Sequence, residues 1–169
     1  MTIQLMSETA IGSTFRAAMR KYPATVTLVT ASNDGVDHGM TVTAVTSVSM
    51  EPPSLVVCLN NRTLLHEMLL CQPDFAVNIL SLDQRALSDA FSGKVEPKDR
   101  FKLARWRRHA AGMQTLEGAH ANVVCRRMAA IPYGTHTLFI GQVIDATVDV
   151  ATTPLLYEDA RYCMSQPAA

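Results

Sequence analysis

The chain has 169 residues, and its 15 basic side chains balance its 15 acidic ones. This length suits one globular domain that buries a real core without disulfide or metal staples. The balanced charge excludes strong electrostatic steering towards nucleic acid or an anionic membrane surface. We therefore predict a single domain over 1–169, with residues 1–12 as a flexible leader.

The four cysteines are widely spaced and form neither a C-x-x-C pair nor a cluster at zinc-ligand spacing. We interpret them as reduced, mostly buried thiols. The N-terminus lacks the basic start and apolar run of a signal peptide, and no apolar stretch approaches the roughly 18 residues of a membrane helix. The sequence predicts a cytoplasmic protein that uses no metal and does not enter a membrane.

In the first third of the chain, apolar residues at i, i+3, i+4 and i+7 predict an amphipathic helix over 13–22. The β-branched segment 24–31 predicts a strand. Asn33, Asp34 and Gly35 follow as a hairpin-turn signal, so a second strand is expected from near Met40.

The middle of the chain predicts alternating strands and helices. Pro52 and Pro53 cannot donate to a strand ladder, so a buried strand is expected only after them. Thr63 or Asn61 can cap the next helix. The predicted elements are strand 54–60, helix 61–71, strand 74–81 and helix 81–91, the last with a capping box formed by Ser81 and Gln84.

The last third predicts mostly β-structure. Residues 92–121 are polar and glycine-dotted, so only a short helix over 99–104 is expected there, followed by an irregular connection. The β-type runs 121–133 and 136–150 flank a glycine turn and predict an extended hairpin. A small hairpin is expected around 158–161.

These elements favour a mainly β fold with peripheral helices. The helices fall between strands at irregular intervals and hairpin signals recur, which is typical of a mostly antiparallel barrel rather than a doubly wound sheet. No G-x-G-x-x-G or P-loop motif occurs. Any nucleotide must therefore be bound in another way.

The stretch 41-TVTAVTSVS-49 is the first candidate site. Thr41 and Thr43 share one strand face and, after a change of phase, Ser47 and Ser49 share another. Small hydroxyl-bearing side chains allow a flat heteroaromatic ligand with a polyol tail to approach closely and form hydrogen bonds. The alternative is an edge strand that is merely rich in Thr and Ser.

Two further candidates lie at element boundaries. Arg62 and Thr63 stand where a strand gives way to a helix, so a guanidinium and backbone N–H groups can converge on a phosphate; the alternative is a capped helix with a solvated arginine. His136 begins a strand after a glycine turn, where it either orients or protonates a ligand or is simply a polar residue at a strand end. Asp99 and Arg100 are interpreted as a surface ion pair.

Taken together, several segments resemble the short-chain flavin reductases, the small NAD(P)H-using partners of two-component flavin-dependent monooxygenases. The resemblance covers the chain from about Phe15 to Tyr162. It is carried by FRAAMRKYPATVTLVT, HGMTVTAVTSVSMEPPSLVVCLN, FAVNILSLDQRALSDAF, DRF, THTLFIGQV and PLLYEDARY, in that order.

The resemblance implies a split β-barrel of the FMN-binding type, homodimeric, with flavin near the subunit interface. It implies that NAD(P)H reduces FMN or FAD, and that free reduced flavin leaves for a separate monooxygenase. The flavin ring and ribityl chain would be lined by Thr41, Val42, Thr43, Ala44, Ser47, Val48 and Ser49. Asn60, Arg62 and Thr63 would serve the flavin phosphate, and His136 and Tyr162 the nicotinamide.

The sequence departs from the family at one point and leaves two rival functions open. Members often carry Gly-Asp-His where this chain has Gly134, Thr135 and His136, so the carboxylate that would favour a charged imidazole is missing. One rival is a flavin-binding split barrel without turnover, a carrier or sensor. The other is a small barrel that binds oligonucleotides, which neutral charge and 6% aromatic residues disfavour.

Overall fold

The structure is a computed structural model, and it describes residues 8–166. Within this range four α-helices are present: α1 (Glu8–Arg20), α2 (Leu64–Cys71), α3 (Arg85–Asp89) and α4 (Pro97–Arg100). Three further helical turns flank them: the 3₁₀ segments Leu82–Gln84 and Phe101–Leu103 and the π-helical segment Ala90–Lys94. All of them lie around a β-structure that fills the centre.

Twelve strands are present in the described residues: β1 (Ala24–Thr25), β2 (Thr27–Asn33), β3 (Val36–Val42), β4 (Val45–Met50), β5 (Pro53–Asn60), β6 (Asp74–Ile79), β7 (Trp106–Arg108), β8 (Gln114–Leu116), β9 (Ala121–Tyr133), β10 (His136–Val148), β11 (Leu156–Glu158) and β12 (Arg161–Cys163). Seven of them form the main sheet in the order β3-β2-β6-β9-β10-β5-β4. Every neighbouring pair in it is antiparallel.

The main sheet curls because its two edge strands follow one another in the chain. Strands β3 and β4 stand at opposite edges, yet only Thr43 and Ala44 separate them. The Cys58 N–H donates to the Ala44 carbonyl at 2.9 Å, which ties this connection to β5. The sheet is thus joined at one corner. The predicted mostly antiparallel barrel with peripheral helices is confirmed.

The barrel interior is packed by side chains from opposite walls. Phe75 of β6 and Phe139 of β10 are fully buried there, and α2 covers one end with Leu65 and Leu69. A Cβ atom at Gly141 would meet the Phe75 ring at 2.6 Å. Glycine is therefore required at this point of β10, where the strand also shifts register against β9.

A second core lies outside the barrel, between α3 and the segments that follow it. Leu28, Leu80, Phe91, Leu116 and Leu155 are buried there together. Both faces of β2 are consequently covered, with Val29 in the barrel core and Leu28 in the second core. This second core fixes α3 and the π-helical turn against β3, next to the barrel corner.

Most of the predicted turns and boundaries are confirmed. The β2–β3 turn has Asp34 and Gly35 in the left-handed region, as an Asn-Asp-Gly signal requires. Thr63, rather than Asn61, caps α2, with its Oγ1 accepting from His66 N. The capping box of Ser81 and Gln84 is present. The long hairpin β9–β10 and the small hairpin β11–β12 form where the sequence predicted them.

Several predictions were wrong in detail. Helix α1 begins at Glu8, so residues 8–12 are helical rather than a leader, and 1–7 lie outside the described residues. Strand β3 begins at Val36 because the tight turn leaves no spare residues before pairing starts. The predicted helix 81–91 is divided into three segments. The connection after 104 contains the β7–β8 hairpin, whose three-residue strands are too short for a periodic signal.

Two side-chain predictions also need correction. Asp99 pairs with Lys102 at 2.6 Å, while Arg100 donates to the Val95 carbonyl, because helical spacing brings i and i+3 together and separates neighbours. The four cysteines are free, but only Cys125 is buried. Among the described residues, no helix has the length and apolarity to cross a membrane.

Candidate functional site

The two residues that join β3 to β4, Thr43 and Ala44, are both small and exposed. The corner they form is fixed on its two sides. Thr27 Oγ1 donates to the Val42 carbonyl at 2.6 Å, and the Cys58 N–H donates to the Ala44 carbonyl at 2.9 Å. A flat ring can therefore approach rigid backbone here without displacing a large side chain.

A hydrogen-bond network links this corner to the C-terminal hairpin. Thr41 Oγ1 donates to the Ser88 carbonyl at 2.7 Å. The Tyr162 hydroxyl lies 2.9 Å from Asp89 Oδ1 and 3.0 Å from Ser88 Oγ. A phenol has one proton and a carboxylate only accepts, so Tyr162 donates to Asp89 and accepts from Ser88. Lys94 Nζ is the second donor to Asp89, at 2.9 Å.

The network determines the charge states of two of its members. Hydrogen bonds from Lys94 and then from Tyr162 hold the pKa of Asp89 below its usual range. Burial raises the pKa of Tyr162, and the neighbouring Asp89 raises it further. At neutral pH the carboxylate is therefore ionised and the phenol protonated.

A groove of about 650 Å³ opens over this network. Thr41, Thr43 and Tyr162 line it together with basic side chains from α3 and from the hairpin turn. The guanidinium of Arg85 lies over the Tyr162 ring, 4.9 Å from its centroid. Of the predicted site residues, the structure thus unites two threonines of the hydroxyl-rich stretch with the C-terminal tyrosine.

A second group of predicted residues meets where β5 and β10 pair. Asn60 and His136 are directly opposite in the register. Asn60 Oδ1 accepts from Arg62 N at 2.9 Å, and its carbonyl accepts from Thr63 Oγ1 at 2.9 Å. Thr63 then caps α2. Arg62 itself is exposed, so its guanidinium is accessible beside the first turn of an eight-residue helix.

His136 is exposed, and Nδ1 of its ring lies 2.9 Å from Thr135 Oγ1. The threonine thus places a hydroxyl beside this ring nitrogen. A hydroxyl can either donate to Nδ1 or accept from it. The ring is therefore oriented by its neighbour.

The buried His66 of α2 contacts β10 next to this group of residues. His66 Nε2 lies 2.9 Å from Thr137 Oγ1, which donates to Asn61 Oδ1 at 2.9 Å. Since the threonine proton is used on Asn61, His66 must donate through Nε2. His66 Nδ1 is buried and has no partner in the described residues. We infer a structural imidazole that positions the Asn61 loop.

The serine part of the hydroxyl-rich stretch lies apart from the threonine part. Ser47 and Ser49 are on β4, where a register shift separates them, and they line an open, mainly apolar concavity of about 310 Å³. Ser49 Oγ bonds to the backbone of Glu51. Val48 is exposed, whereas the Val42 side chain is buried in the barrel core. Val42 can therefore offer a ligand only its backbone.

Sequence reasoning missed the residues that α3 and its π-helical extension bring to the groove, Arg85, Ser88, Asp89 and Lys94. Arg85, Ser88 and Asp89 are spaced i, i+3 and i+4, which places them on one face of a helix. This polar helix face was the sequence signal that could have indicated a binding surface. Its part in the groove is evident only from the fold, which places it against Thr41.

The family model described as flavin reductase like domain matches residues 19–166. The chain belongs to the flavin reductase-like family. The reductase component of the FADH(2)-dependent resorcinol hydroxylase of Rhizobium sp. (strain MTP-10005) is 64% identical over 160 residues, which cover 94% of this chain and 89% of that protein. The FMN reductase (NADH) RutF of Cronobacter sakazakii (strain ATCC BAA-894) is 35% identical over 154 residues, covering 90% and 93%.

Solved structures of flavin reductases share the fold. The Streptomyces globisporus C-1027 NADH:FAD oxidoreductase SgcE6, in complex with NAD and FAD fragments, has a TM-score of 0.88 at 28% identity and covers 98% of this chain and 99% of its own. Flavin reductase PheA2 in its native state has a TM-score of 0.84 at 32% identity, covering 96% and 100%. The predicted family and split barrel are confirmed.

The residues of this flavin reductase-like chain fit a flavin. A tricyclic ring needs close approach to backbone, which the small, exposed Thr43 and Ala44 allow. A phosphate needs cations: Arg85 and Lys94 line the groove onto which Thr43 opens, and Arg62 is exposed just before α2.

Proposed function

We propose that this protein is a flavin reductase that oxidises NADH, reduces FMN or FAD, and releases the reduced flavin to a separate flavin-dependent monooxygenase. The corner formed by Thr43 and Ala44 carries the proposal, because its backbone is hydrogen-bonded, its side chains are small and exposed, and Thr43 opens onto a groove lined by basic side chains. The relatives support the chemistry: one is the reductase component of an FADH(2)-dependent hydroxylase, and another is an FMN reductase that uses NADH.

Each predicted site residue has a role in this proposal. Thr41, Thr43 and Ala44, with the backbone of Val42, line the flavin on one side of the corner, and Ser47, Val48 and Ser49 continue this wall along β4. Arg62 binds the flavin phosphate through its guanidinium, and Asn60 and Thr63 hold the Arg62 backbone in place at the start of α2. His136, oriented by Thr135, contacts the nicotinamide. Tyr162 closes the opposite side of the groove.

In a complex held by these residues, a hydride would pass from NADH to the flavin, and a proton from solvent would complete the two-electron reduction. The chain contributes orientation, because the Ala44 and Val42 carbonyls that fix the corner are already engaged before any ligand binds. The openness of the groove permits release of the reduced flavin, as delivery to another protein requires.

We further propose a homodimer with the flavin near the subunit interface. Large apolar side chains are exposed on the edge strand β4 and at the end of β9, including Met50 (85%) and Tyr133 (83%), and α1 exposes Phe15 (65%). Exposed apolar surface of this kind is typical of protein interfaces. We also propose a single domain in a cytoplasmic protein, which agrees with four free cysteines.

The proposal is tested by steady-state assays that cross NADH and NADPH with FMN and FAD. We expect oxidation of the nicotinamide only when free flavin is supplied. His136→Ala should raise the KM for NADH by about tenfold and the KM for flavin by less than about twofold, the size expected when one polar contact is lost.

The matched control is His109→Ala, because His109 pairs with Asp145 at the other end of β10 and should leave both KM values unchanged. Unchanged kinetics in His136→Ala would remove this histidine from the nicotinamide site. Tight flavin binding without bleaching by either nicotinamide would identify a carrier or sensor instead.

A further inference from the structure

We propose that three polar residues, Asn61, Thr137 and His66, are positioning residues that hold the flavin-phosphate end and the nicotinamide end of the site in a fixed relation. We call this hydrogen-bonded set the Asn61 relay. It acts on bound ligands through Arg62 at one end and His136 at the other, rather than by contacting them. Because Arg62 and His136 have these ligands only in a flavin reductase, the role of the relay rests on the proposed function.

Asn61 joins the two segments that carry Arg62 and His136. Its backbone N–H donates to the Thr135 carbonyl at 3.0 Å, and its side-chain Nδ2 lies 3.5 Å from the Gly134 carbonyl. Gly134 and Thr135 are the turn residues directly before His136. Arg62 directly follows Asn61 in the chain. A displacement of Asn61 therefore moves both the turn that presents the histidine and the residue that presents the guanidinium.

The side-chain oxygen of Asn61 is held by buried groups. Asn61 Oδ1 accepts from Thr137 Oγ1 at 2.9 Å, and the same hydroxyl lies 2.9 Å from His66 Nε2. Thr137 and His66 are both buried. The His66 ring packs edge-on against Phe139, with ring centroids 5.5 Å apart. An exposed amide at the site is thus anchored to side chains whose positions are fixed by the barrel core.

The relay also returns to the Arg62 loop through α2. His66 lies in the first turn of this helix, and its N–H donates to Thr63 Oγ1 at 3.3 Å. That hydroxyl donates in turn to the Asn60 carbonyl at 2.9 Å. The loop is therefore attached to α2 by the helix cap and to β10 by Asn61. Hydrogen bonds in such a connected set support one another, so the loss of one loosens the rest.

Strand alternation separates the relay from the side chain that faces the ligand. His136 and Thr137 are consecutive on β10, so their side chains point to opposite faces of the strand. His136 is exposed, whereas Thr137 is buried on the same side of the strand as Phe139. A buried hydroxyl is costly unless it is hydrogen-bonded. Both partners of this hydroxyl lead to the loop that carries Arg62, which indicates a positioning role.

The decisive variant is Thr137→Val, which removes the hydroxyl and keeps the shape of the side chain. Two dissociation constants are measured without turnover: that for FMN by fluorescence titration, and that for NAD⁺ by calorimetric titration into protein saturated with FMN. Both Kd values should rise by about threefold, because Asn61 no longer fixes either end. Thr137→Ser restores the hydroxyl and should restore both Kd values.

Double-mutant cycles separate positioning from a general structural effect. Arg62→Gln alone should raise the Kd for FMN by about tenfold, and His136→Ala alone should raise that for NAD⁺ by about tenfold. If Thr137 acts through these residues, adding Thr137→Val to either variant should raise the corresponding Kd no further. Independent effects would multiply to about thirtyfold and would overturn the proposal. A Thr137→Val protein with either Kd unchanged would also overturn it.

The matched control is Thr30→Val, because Thr30 is also a buried threonine with two hydrogen bonds. Its hydroxyl bonds to the Gln114 carbonyl of β8 and to Asn78 of β6. The control should lower the urea midpoint and leave both Kd values unchanged; a rise in both would attribute the Thr137 effect to lost stability and contradict the relay. If Thr137→Val does not fold, Asn61→Ala, which truncates an exposed side chain, enters the same two cycles with the same expected results.

Steady-state assays of the wild-type protein separate this proposal from the proposed function. A wild type that reduces flavin with NADH, while both cycles are additive, would contradict the relay alone. A protein that binds both ligands with non-additive cycles but reduces no flavin would contradict the proposed function alone.

Discussion

The two parts of the hydroxyl-rich stretch differ in how their side chains are used within one chain. In the first, Thr41 donates a hydrogen bond to the Ser88 carbonyl, and Thr43 opens onto a polar groove. In the second, Ser47 and Ser49 line an apolar opening beside the exposed side chains of Val48 and Met50. The same residue types thus line one groove that other elements of the chain cover and one concavity that stays exposed.

This difference teaches that a run of small alcohols is not one structural feature. The break at Thr43 and Ala44 sends the two parts to opposite edges of the same sheet. The threonine part is completed by α3 and the C-terminal hairpin. The serine part lacks such cover, and a second subunit is the cover that we propose for it.

Both parts are attached to one sheet, and the buried Asn78 helps to hold that sheet together. Its substitution should have the largest effect on stability. Asn78 is fully buried and bonds to the Leu28 carbonyl, Thr30 Oγ1 and Leu116 N. Asn78→Ala leaves these groups unpaired and should lower the free energy of unfolding by about 3 kcal/mol, measured by urea denaturation.

Asn122 is the matched control because it lies directly opposite Asn78 in the β6–β9 register. Its Nδ2 donates to the Leu116 carbonyl, but its Oδ1 is buried and accepts nothing from the described residues. Asn122→Ala should therefore cost only about 1 kcal/mol. Equal losses for the two variants would show that hydrogen bonding does not determine the rigidity of this sheet.

Met50→Asp tests whether the serine part faces a partner. Met50 is 85% exposed in the single chain, so the substitution should change monomer stability by less than about 0.5 kcal/mol. If a second subunit covers it, the buried charge should raise the dimer dissociation constant by at least about tenfold. Analytical ultracentrifugation across a concentration series measures this change.

Val36→Asp provides the control for that experiment, since Val36 is exposed at the β2–β3 turn, away from β4. It should leave the dissociation constant unchanged. A Met50→Asp protein that sediments like the wild type would mean that the serine part is not covered by a second copy.

Thr41→Val and Ser47→Ala compare the two parts directly. Removing the Thr41 hydroxyl breaks the bond that positions Ser88 on α3, so the Kd for flavin should rise by about fivefold. The exposed Ser47 has only its proposed contact with flavin to lose, and the expected rise is about twofold. Flavin fluorescence titration gives both values. A larger effect at Ser47 would reverse the ranking of the two parts.

Asp89→Asn should give the smallest effect, and its pH dependence identifies the cause. Hydrogen bonds from Lys94 and Tyr162 lower the pKa of Asp89, so its stabilising contribution is complete above its unfolded pKa and is lost as the pH falls through the lower folded value. The small difference in urea midpoint between wild type and variant should persist at neutral pH, begin to shrink below about pH 4, and vanish only once the pH is below the folded pKa. A difference that persists unchanged at pH 2 would exclude the carboxylate charge as its origin.

Much of the fold could be predicted from local pattern. The turn at Asp34 and Gly35 and the hairpin β9–β10 follow from residues within a few positions of one another. The β7–β8 hairpin could not be predicted, because its three-residue strands are fixed by distant groups. The Leu116 peptide in β8, for example, is held by Asn78 and Asn122.

The candidate site shows the same division. Arg62, Thr63 and His136 were predicted from their places at strand and helix ends, and Asn60 from the family resemblance. Strand pairing brings Asn60 opposite His136. Arg85, Asp89 and Lys94 were missed, because a polar helix face is indistinguishable in sequence from a solvated one. Only the packing of α3 against β3 and the C-terminal hairpin makes that face part of a groove.

The sequence by itself determined the family, the strand and helix types and most of the turns, since these depend on local conformational preference and on residues kept in order along the chain. The tertiary structure decided which hydroxyls share a surface and which cations face them. The physical reason is that Thr41, Ser88 and Tyr162 are far apart in the chain and meet only when the curled sheet and its outer core bring them within hydrogen-bond distance.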